Sequence, residues 1–446
     1  MTDIKQKNTF KHISIIIFIL IVLSQTHVSA DKYQETGQME NKADSELKRG
    51  STLDDYIRYA LLNNPGLKSL YEKWQAALEK VTPAKTLPDP KLTFNKYITE
   101  VETRVGPQKY AIGISQTFPW FGKLDLKAKA ALEAANAEKA QYNARKLMLV
   151  AKVKKVYYQY SYLAQAIKIT QDNIKLVSSF EDVATAKYKS GAGLQNAVIK
   201  IQVELGKMDD RLSSLEDLIT PVAAKLNSAM NRPSAAALPL PEEIPFEKIT
   251  LDKSELIDLL KSDNPNLKAL DYMAKRDDYL VSLSKKNYYP DIMLGVNYID
   301  TAKRYDASPS DNGKDPLVAS ISINLPIWRK KYDSQKREAQ AEHRSVLRSR
   351  EETENSLIAD LEMAVFELRD ADRKIKLYRD TLLVKAEQNV NINQLAFSSD
   401  KTDFLNLIDA QRVLLEFQLA EKKALADYGK ASADIEMLTG DNLKGK

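Results

Sequence analysis

Chemistry needs reactive side chains, and this chain of 446 residues offers few. It has no Cys and three His, and His12 and His27 fall in an N-terminal stretch that reads as a signal peptide. That leaves His343 as the one imidazole of the processed chain. With no thiol and a single imidazole, the usual zinc, haem and iron–sulfur ligand sets are excluded, and no metal or other cofactor is expected. A Cys–His or Ser–His–Asp apparatus would have to use His343. That residue lies in the charged stretch AQAEHRSVLRSR and reads as a solvated helix residue. The sequence carries no Gly-rich phosphate loop, no metal-ligand cluster and no nucleophile motif. Carboxylate pairs such as Glu351-Glu352 read as helix-surface charge, so an enzyme is not expected.

Charge adds little. Lys and Arg number 66 against 61 Asp and Glu, and removing Lys5, Lys7, Lys11 and Asp3 with the signal leaves 63 against 60. The charges are interspersed along helical stretches, which argues against nucleic-acid binding. At the N-terminus, three Lys precede an apolar run from Ile13 to Leu23, followed by Val28-Ser29-Ala30. The run is too short to span a bilayer and has the layout of a secretory signal, residues 1–30. Residues 31–50 read as a flexible leader. With no Cys to acylate, anchoring is expected to rest on the strands described below.

The elements that must position any site come in two copies. LDDYIRYALLNNPGLKSL from Leu53 and LDKSELIDLLKSDNPNLKAL from Leu251 are the same phrase, with Asn64-Pro65 matching Asn264-Pro265. Further on, Pro119 matches Pro326 and Gln202 matches Gln411. The period far exceeds a solenoid unit, so one large module is duplicated in tandem. The modules are read as 51–230 and 251–440, with a Pro-rich linker at 231–250 and a tail at 441–446.

Within each module the order is read as short helix, strand, strand, very long helix, turn, long helix. Ile201, Leu205, Met208, Leu212, Leu215, Ile219, Val222 and Leu226 alternate by three and four, a coiled-coil seam. Val153, Tyr160, Ile167 and Ile174 continue the pattern in the preceding helix, and Leu361 through Leu382 repeat it in the second module. Pro221 should bend its helix rather than end it. The strand candidates have period two: Leu92, Phe94 and Ile98, with Lys96 breaking the face; Tyr110, Ile112 and Ile114; Ile292 to Tyr298; Leu317 to Leu325. Each is about the length of a tilted membrane strand, roughly 9–11 residues, and Phe118, Trp120, Phe121, Tyr288, Tyr289 and Trp328 flank the ends. Four strands cannot close a membrane barrel and open edges are not tolerated in hydrocarbon, so several chains must share one barrel. Those rules alone allow two, three or more copies.

The ordered set of Asn-Asn-Pro after a short helix, Pro-Asp before strands, SQTFPWFGKL at Ser115–Leu124 and LIDAQRVLLEFQLA at Leu407–Ala420 resembles the TolC family of outer-membrane efflux ducts. The resemblance covers Leu53–Gly440. It implies a mainly α protein with a β membrane segment: a homotrimer whose four strands per chain form a twelve-stranded barrel, continued by a helical tunnel in the periplasm. It further implies an outer-membrane location among lipids, and a passive exit route. A periplasmic adaptor would dock on the helical turns, and an inner-membrane pump of the resistance–nodulation–division class would deliver the substrate. Gly191, Gly193, Asp400 and Lys401 would form that docking tip. The loops Glu100–Gln108 and Thr301–Asp315 would face outside. In the family two aspartates one turn apart narrow the entrance; Asp409 matches the second, and Asn406 stands where the first would be. LPDPKL with SQTFPWFGKL leans toward the heavy-metal branch. The competing class is a periplasmic coiled-coil adaptor, which should show one helical hairpin rather than two.

Overall fold

An Asn-Pro step breaks the opening helix of each module. The computed structural model describes residues 47, 50–241, 243, 244, 246, 248, 249, 252–306, 309–399, 402 and 404–440. The first module holds α1 (Leu53–Asn63), α2 (Pro65–Glu79), α3 (Val81–Lys85), β1 (Lys91–Val101), β2 (Gln108–Phe118), α4 (Lys123–Lys189) and α5 (Gln195–Ala229). The second holds α6 (Lys253–Asp263), α7 (Pro265–Lys286), β3 (Ile292–Thr301), β4 (Leu317–Ile323), α8 (Arg329–Leu377), α9 (Leu383–Ser398) and α10 (Phe404–Thr439). The expected signal, most of the leader and the tail lie outside the described residues, as do Asp400, Lys401 and parts of the linker.

Asn64 caps α2 by accepting the Leu67 N–H at 3.0 Å, and Pro65 fills the first helical position, where no N–H is needed. The Asn64 amide also donates to the Ala229 carbonyl at the end of α5, at 2.9 Å. Asn264 repeats both roles, accepting from Asn266 at 2.9 Å and donating to the Leu438 carbonyl at 2.8 Å. The matched Asn-Pro steps therefore fasten the start of each module to the end of its last helix. Three helices precede the strands in the first module and two in the second, rather than the single short one expected.

The seam of α5 is buried at Ile201, Met208, Val222 and Leu226, and Pro221 sits inside the helix without ending it. At 67 residues α4 is roughly 100 Å long, and it packs along α2, α5, α7 and α10. In α8 the seam runs through Leu361, Ala364, Leu368, Ala371 and Ile375, then stops short of the expected Leu382. A π turn over Tyr378–Leu382 inserts there and shifts the phase, so burial resumes at Ala386 and Val390 of α9. Arg379 within that turn donates to Glu421 of α10 at 3.0 Å and lies over the Phe246 ring of the linker.

The four strands form one antiparallel sheet in the order β1-β2-β3-β4. Its register aligns Leu92, Ile114, Val296 and Ala319 in one row, and Phe94, Ile112, Tyr298 and Leu317 in the next. Phe118, Ile292 and Ile323 share a further row. All of these fall on one side, and Leu92, Phe94, Ile98, Leu317 and Ile321 are exposed there. The other face carries Thr93, Asn95, Gly113, Ser115, Gly295, Asn297, Ser320 and Ser322. A Cβ on Gly113 would fall 1.8 Å from Asn297 Oδ1, so this face is crowded there and a larger residue would make the Asn297 amide turn away. Lys96, the residue that broke the alternation, is where the regular β1–β2 ladder ends, and the register shifts before Val101.

Candidate functional site

Three places along the chain carry what the sequence marked out: the helical tip, the exposed edge of α10, and the junction between sheet and helices. At the tip, α4 ends in a Schellman motif, with Gly191 at φ +76 donating to the Tyr188 carbonyl and Ala192 to the Lys187 carbonyl. Glycine meets that left-handed position without strain. Gly193 sits 3.0 Å, measured from an ideal Cβ, from Lys187 Cβ and closes the turn tightly. Lys187 reaches across to α9, where its Nζ donates to the Phe397 carbonyl at 3.0 Å and lies 4.3 Å from the ring centroid. Phe397 and Phe180 both pack edge-on against the buried Phe404. An aromatic trio thus joins the two hairpins, while Tyr188, Leu194 and Ile199 stay exposed around it. Asp400 and Lys401, the other half of the expected tip, lie outside the described residues.

The second place is α10. Its first turns bury Phe404, Leu407, Ile408, Ala410 and Gln411 against α4 and its neighbours, which leaves one narrow exposed edge. Asn406, Asp409, Arg412 and Glu416 line that edge, spaced by three and four. The structure therefore brings Asn406 and Asp409 onto one face, one turn apart. Asn406 donates to the Thr402 hydroxyl at 3.0 Å, and Asp409 pairs with Arg412 at 3.2 Å. The Asp409 and Arg412 side chains keep 64% and 49% of their surface exposed, so the pair is worth about 0–1 kcal/mol and leaves the carboxylate accessible. Arg412 is a neighbour of Asp409 on this edge that the sequence reading missed; its signal is the three-residue spacing in Asp-Ala-Gln-Arg. Behind the edge, the α10 position is fixed by Gln411, which donates to Asn173 of α4, while Asn173 donates to Gln418 at 3.1 Å. Gln202, the matching residue of the first module, instead bonds Glu181 on the surface. The two copies of this Gln have diverged in role.

At the junction, Asp291 of the Pro-Asp step accepts from the Trp120 N–H and from Lys123 Nζ, both at 2.8 Å. Lys123 is nearly buried and also donates to the Tyr289 carbonyl at 3.1 Å. Trp120 stacks on Tyr289 with ring centroids 5.2 Å apart, and Gly122 turns the chain into α4 at φ +82. The PWFGK segment and the Pro-Asp step, noticed separately in the sequence, are two halves of one joint. At the opposite end of the sheet the loops 102–107 and 302–316 bind each other: Gly313 donates to Val105 and Ala302 to Pro107. Arg104 pairs with Asp311 and holds that carboxyl below its usual range.

His343 is half-buried rather than solvated, because α8 lies against α7 there. Its Nδ1 is 3.1 Å from the Ala274 carbonyl, which can only accept, so that nitrogen carries the proton. Among the described residues no three His, Cys, Asp or Glu gather into a metal-binding group, and no helix is long and apolar enough to cross a membrane.

Known proteins share this architecture. The cobalt-zinc-cadmium resistance protein CzcC of Cupriavidus metallidurans is 23% identical over 399 residues, covering 87% of this chain and 90% of that one. The crystal structure of CusC superposes with a TM-score of 0.73 at 12% identity, covering 91% of this chain and 96% of its own. The open-state channel MtrE of Neisseria gonorrhoeae gives 0.72 at 18% identity, with 88% and 89% covered. The sequence pattern described as outer membrane efflux protein matches residues 56–232 and again 256–441, one stretch in each module. That double match sets aside the single-hairpin adaptor, and the chain belongs to the outer membrane efflux protein family.

Proposed function

We propose that this outer-membrane efflux channel is a homotrimeric, passive exit duct for divalent heavy-metal cations. The observation that carries the reading is the sheet: one mainly apolar face, interrupted at Gln116 and at the Lys96–Tyr110–Asp300 row, one small and polar face, and open edges at β1 and β4. A sheet with an apolar outer band must close on itself in a bilayer, and four strands are too few, so further copies complete the wall. The long helices then continue the same wall into the periplasm. Substrate passes along a tube, and the protein needs no reaction chemistry of its own.

In this reading the helical turns around Gly191 and Gly193, with Asp400 and Lys401 in the second module, receive a periplasmic adaptor. The adaptor connects the duct to an inner-membrane pump of the resistance–nodulation–division class. The exposed edge of α10 faces the lumen near that end. Threefold symmetry repeats Asp409 as a ring of carboxylates beside Asn406, which draws cations and repels anions. The likeness to a cobalt-zinc-cadmium resistance protein supports metal cations as the cargo. Residues 1–30 serve as the export signal, and 231–250 link the two modules.

A strain lacking the chain tests the cargo. It should lose tolerance to cobalt, zinc and cadmium salts while keeping tolerance to dyes and detergents. Loss of dye and detergent tolerance with unchanged metal tolerance would overturn the metal assignment.

A further inference from the structure

The apolar side of β4 runs on past its last ladder pair. Leu325 and Ile327 continue the odd-numbered alternation of Leu317, Ile321 and Ile323, and all five are exposed. Two residues later the chain turns strongly basic. Arg329, Lys330, Lys331, Lys336 and Arg337 stand together at the start of α8 with a single carboxylate, Asp333, among them. The helix has no acidic residue in its first turn, and α7 ends nearby on Lys285 and Lys286.

An open cleft of about 580 Å³ lies between these two helix ends, lined by Lys285, Tyr288, Tyr289, Arg329 and Lys336. Arg329, Tyr332 and Lys336 are spaced by three and four, so they share one face of α8. Across the cleft, the Tyr288 and Tyr332 ring centroids are 5.6 Å apart, and the Tyr288 hydroxyl donates to Asp333. Arg329 lies 5.8 Å from the Tyr288 ring centroid, and Lys286 lies 5.8 Å from that of Tyr289. Asp333 is thus engaged by Tyr288. Among the described residues, Lys285, Arg329 and Lys336 make no hydrogen bond or ion pair.

The first module makes the same turn from sheet to helix without these charges. Asp291 matches Asp89 and Pro326 matches Pro119, so the five lining positions are held there by Pro83, Thr86, Leu87, Gly122 and Lys129. One cation stands in place of three, and Lys129 is paired with Asp125 at 2.8 Å. The second module has Tyr332 where that aspartate stood. The turn itself therefore does not require the cations of the second module.

We propose that this cleft holds the phosphate of an anionic phospholipid, whose acyl chains lie along the apolar face of the sheet. Three cations without partners supply the charge. Tyr288 and Tyr289 place amphipathic rings at the headgroup level, and the exposed Leu325 and Ile327 continue from there as a surface for hydrocarbon. Basic pockets at the edge of membrane-spanning segments bind anionic headgroups by this combination. The cleft lies between α7 and α8 of one chain, so every copy carries one. The assignment depends neither on the cargo nor on how many copies share the barrel.

Native mass spectrometry of the full chain in detergent tests the site, with dioleoyl phosphatidylglycerol added in mixed micelles. Parallel arms use dioleoyl phosphatidylcholine at the same mole fraction, and inorganic phosphate alone. Phosphatidylglycerol should fill one tight site per chain, and phosphatidylcholine should not. Arg329→Gln/Lys336→Gln should weaken the apparent affinity about twenty-five-fold, at about fivefold for each cation removed. Lys146→Gln/Lys152→Gln, which takes the same charge from exposed positions on α4, should leave it unchanged. Equal binding of the two lipids, or an equal loss in the two double variants, would overturn the site. Binding of inorganic phosphate with the same dependence on Arg329 and Lys336, and no gain from acyl chains, would overturn the lipid as its occupant. The lipid-free mass in the same spectra counts the chains, so a failure of the shared barrel is read separately from a failure of the site.

Discussion

Gly429 decides how closely α10 approaches α4, and replacing it gives a prediction whose sign runs against local propensity. In a helix interior, Gly→Ala normally stabilises by about 1 kcal/mol. At Gly429 an added Cβ would lie 2.5–2.6 Å from three ring carbons of Tyr158 on α4. Carbon atoms rest at about 3.5–4.0 Å, so the overlap is about 1 Å. The ring has little room to yield, since it is 9% exposed and packs edge-on against Tyr157. Overpacking of this kind costs about 1–3 kcal/mol, which outweighs the propensity gain and leaves Gly429→Ala destabilising by up to about 2 kcal/mol. Gly206 on α5 is the control, because nothing lies within 4 Å of its would-be Cβ. There the propensity term acts alone. Thermal loss of the helical circular dichroism signal, recorded at one scan rate on detergent-extracted protein, should fall to a lower midpoint for Gly429→Ala and rise for Gly206→Ala. In a Tyr158→Ala background the Gly429 exchange should become stabilising. If both glycine variants shift upward together, the α4–α10 crossing is not set by this contact.

Other consequences follow from the same side chains. Asp409→Asn should reduce cation selectivity of the channel in planar bilayers and Arg412→Ala should increase it; an unchanged reversal potential in both would remove the edge of α10 from the lumen. Lys154 and Glu436 form an ion pair between α4 and α10 with 11% of each side chain exposed. Lys154→Met strands the carboxylate and should cost about 3–5 kcal/mol, whereas Lys154→Met with Glu436→Leu should recover most of it in the same melting assay. The Arg350 guanidinium, then Lys261, hold the Glu354 carboxyl below its ordinary value of 4.5. A depressed carboxylate contributes stability above its unfolded value and loses it as the pH falls through the folded value. The midpoint difference between the parent chain and Glu354→Gln should therefore be present at neutral pH and vanish in strong acid; a difference that grows with acidification would contradict the pairing.

Much of this fold could be read from periodicity because its elements are long and repeated. The α5 seam from Ile201 to Leu226 and the alternation of β2 and β3 each supply enough consecutive positions to fix a face. Features set by contacts remote in sequence were not legible. The π turn at Tyr378–Leu382 answers to Glu421 and the linker ring Phe246, neither of which leaves a mark in the local pattern. β4 stops at Ile323, two residues before the expected Leu325, where the Asn324 side chain accepts the Asp291 N–H. His343 looked solvated because AQAEHRSVLRSR is charged, but the α7 backbone lies over one side of it. Asp409 and Asn406 were singled out by likeness to a family, and the structure places them one turn apart on the exposed edge of α10. Arg412 shares the edge and alters its charge, and likeness alone did not point to it.

The claim that this chain is one part of a shared outer-membrane barrel is tested most directly by mass. Protein extracted in mild detergent from isolated outer membranes should give a native mass of three chains. A single chain recovered from the soluble periplasmic fraction would contradict it.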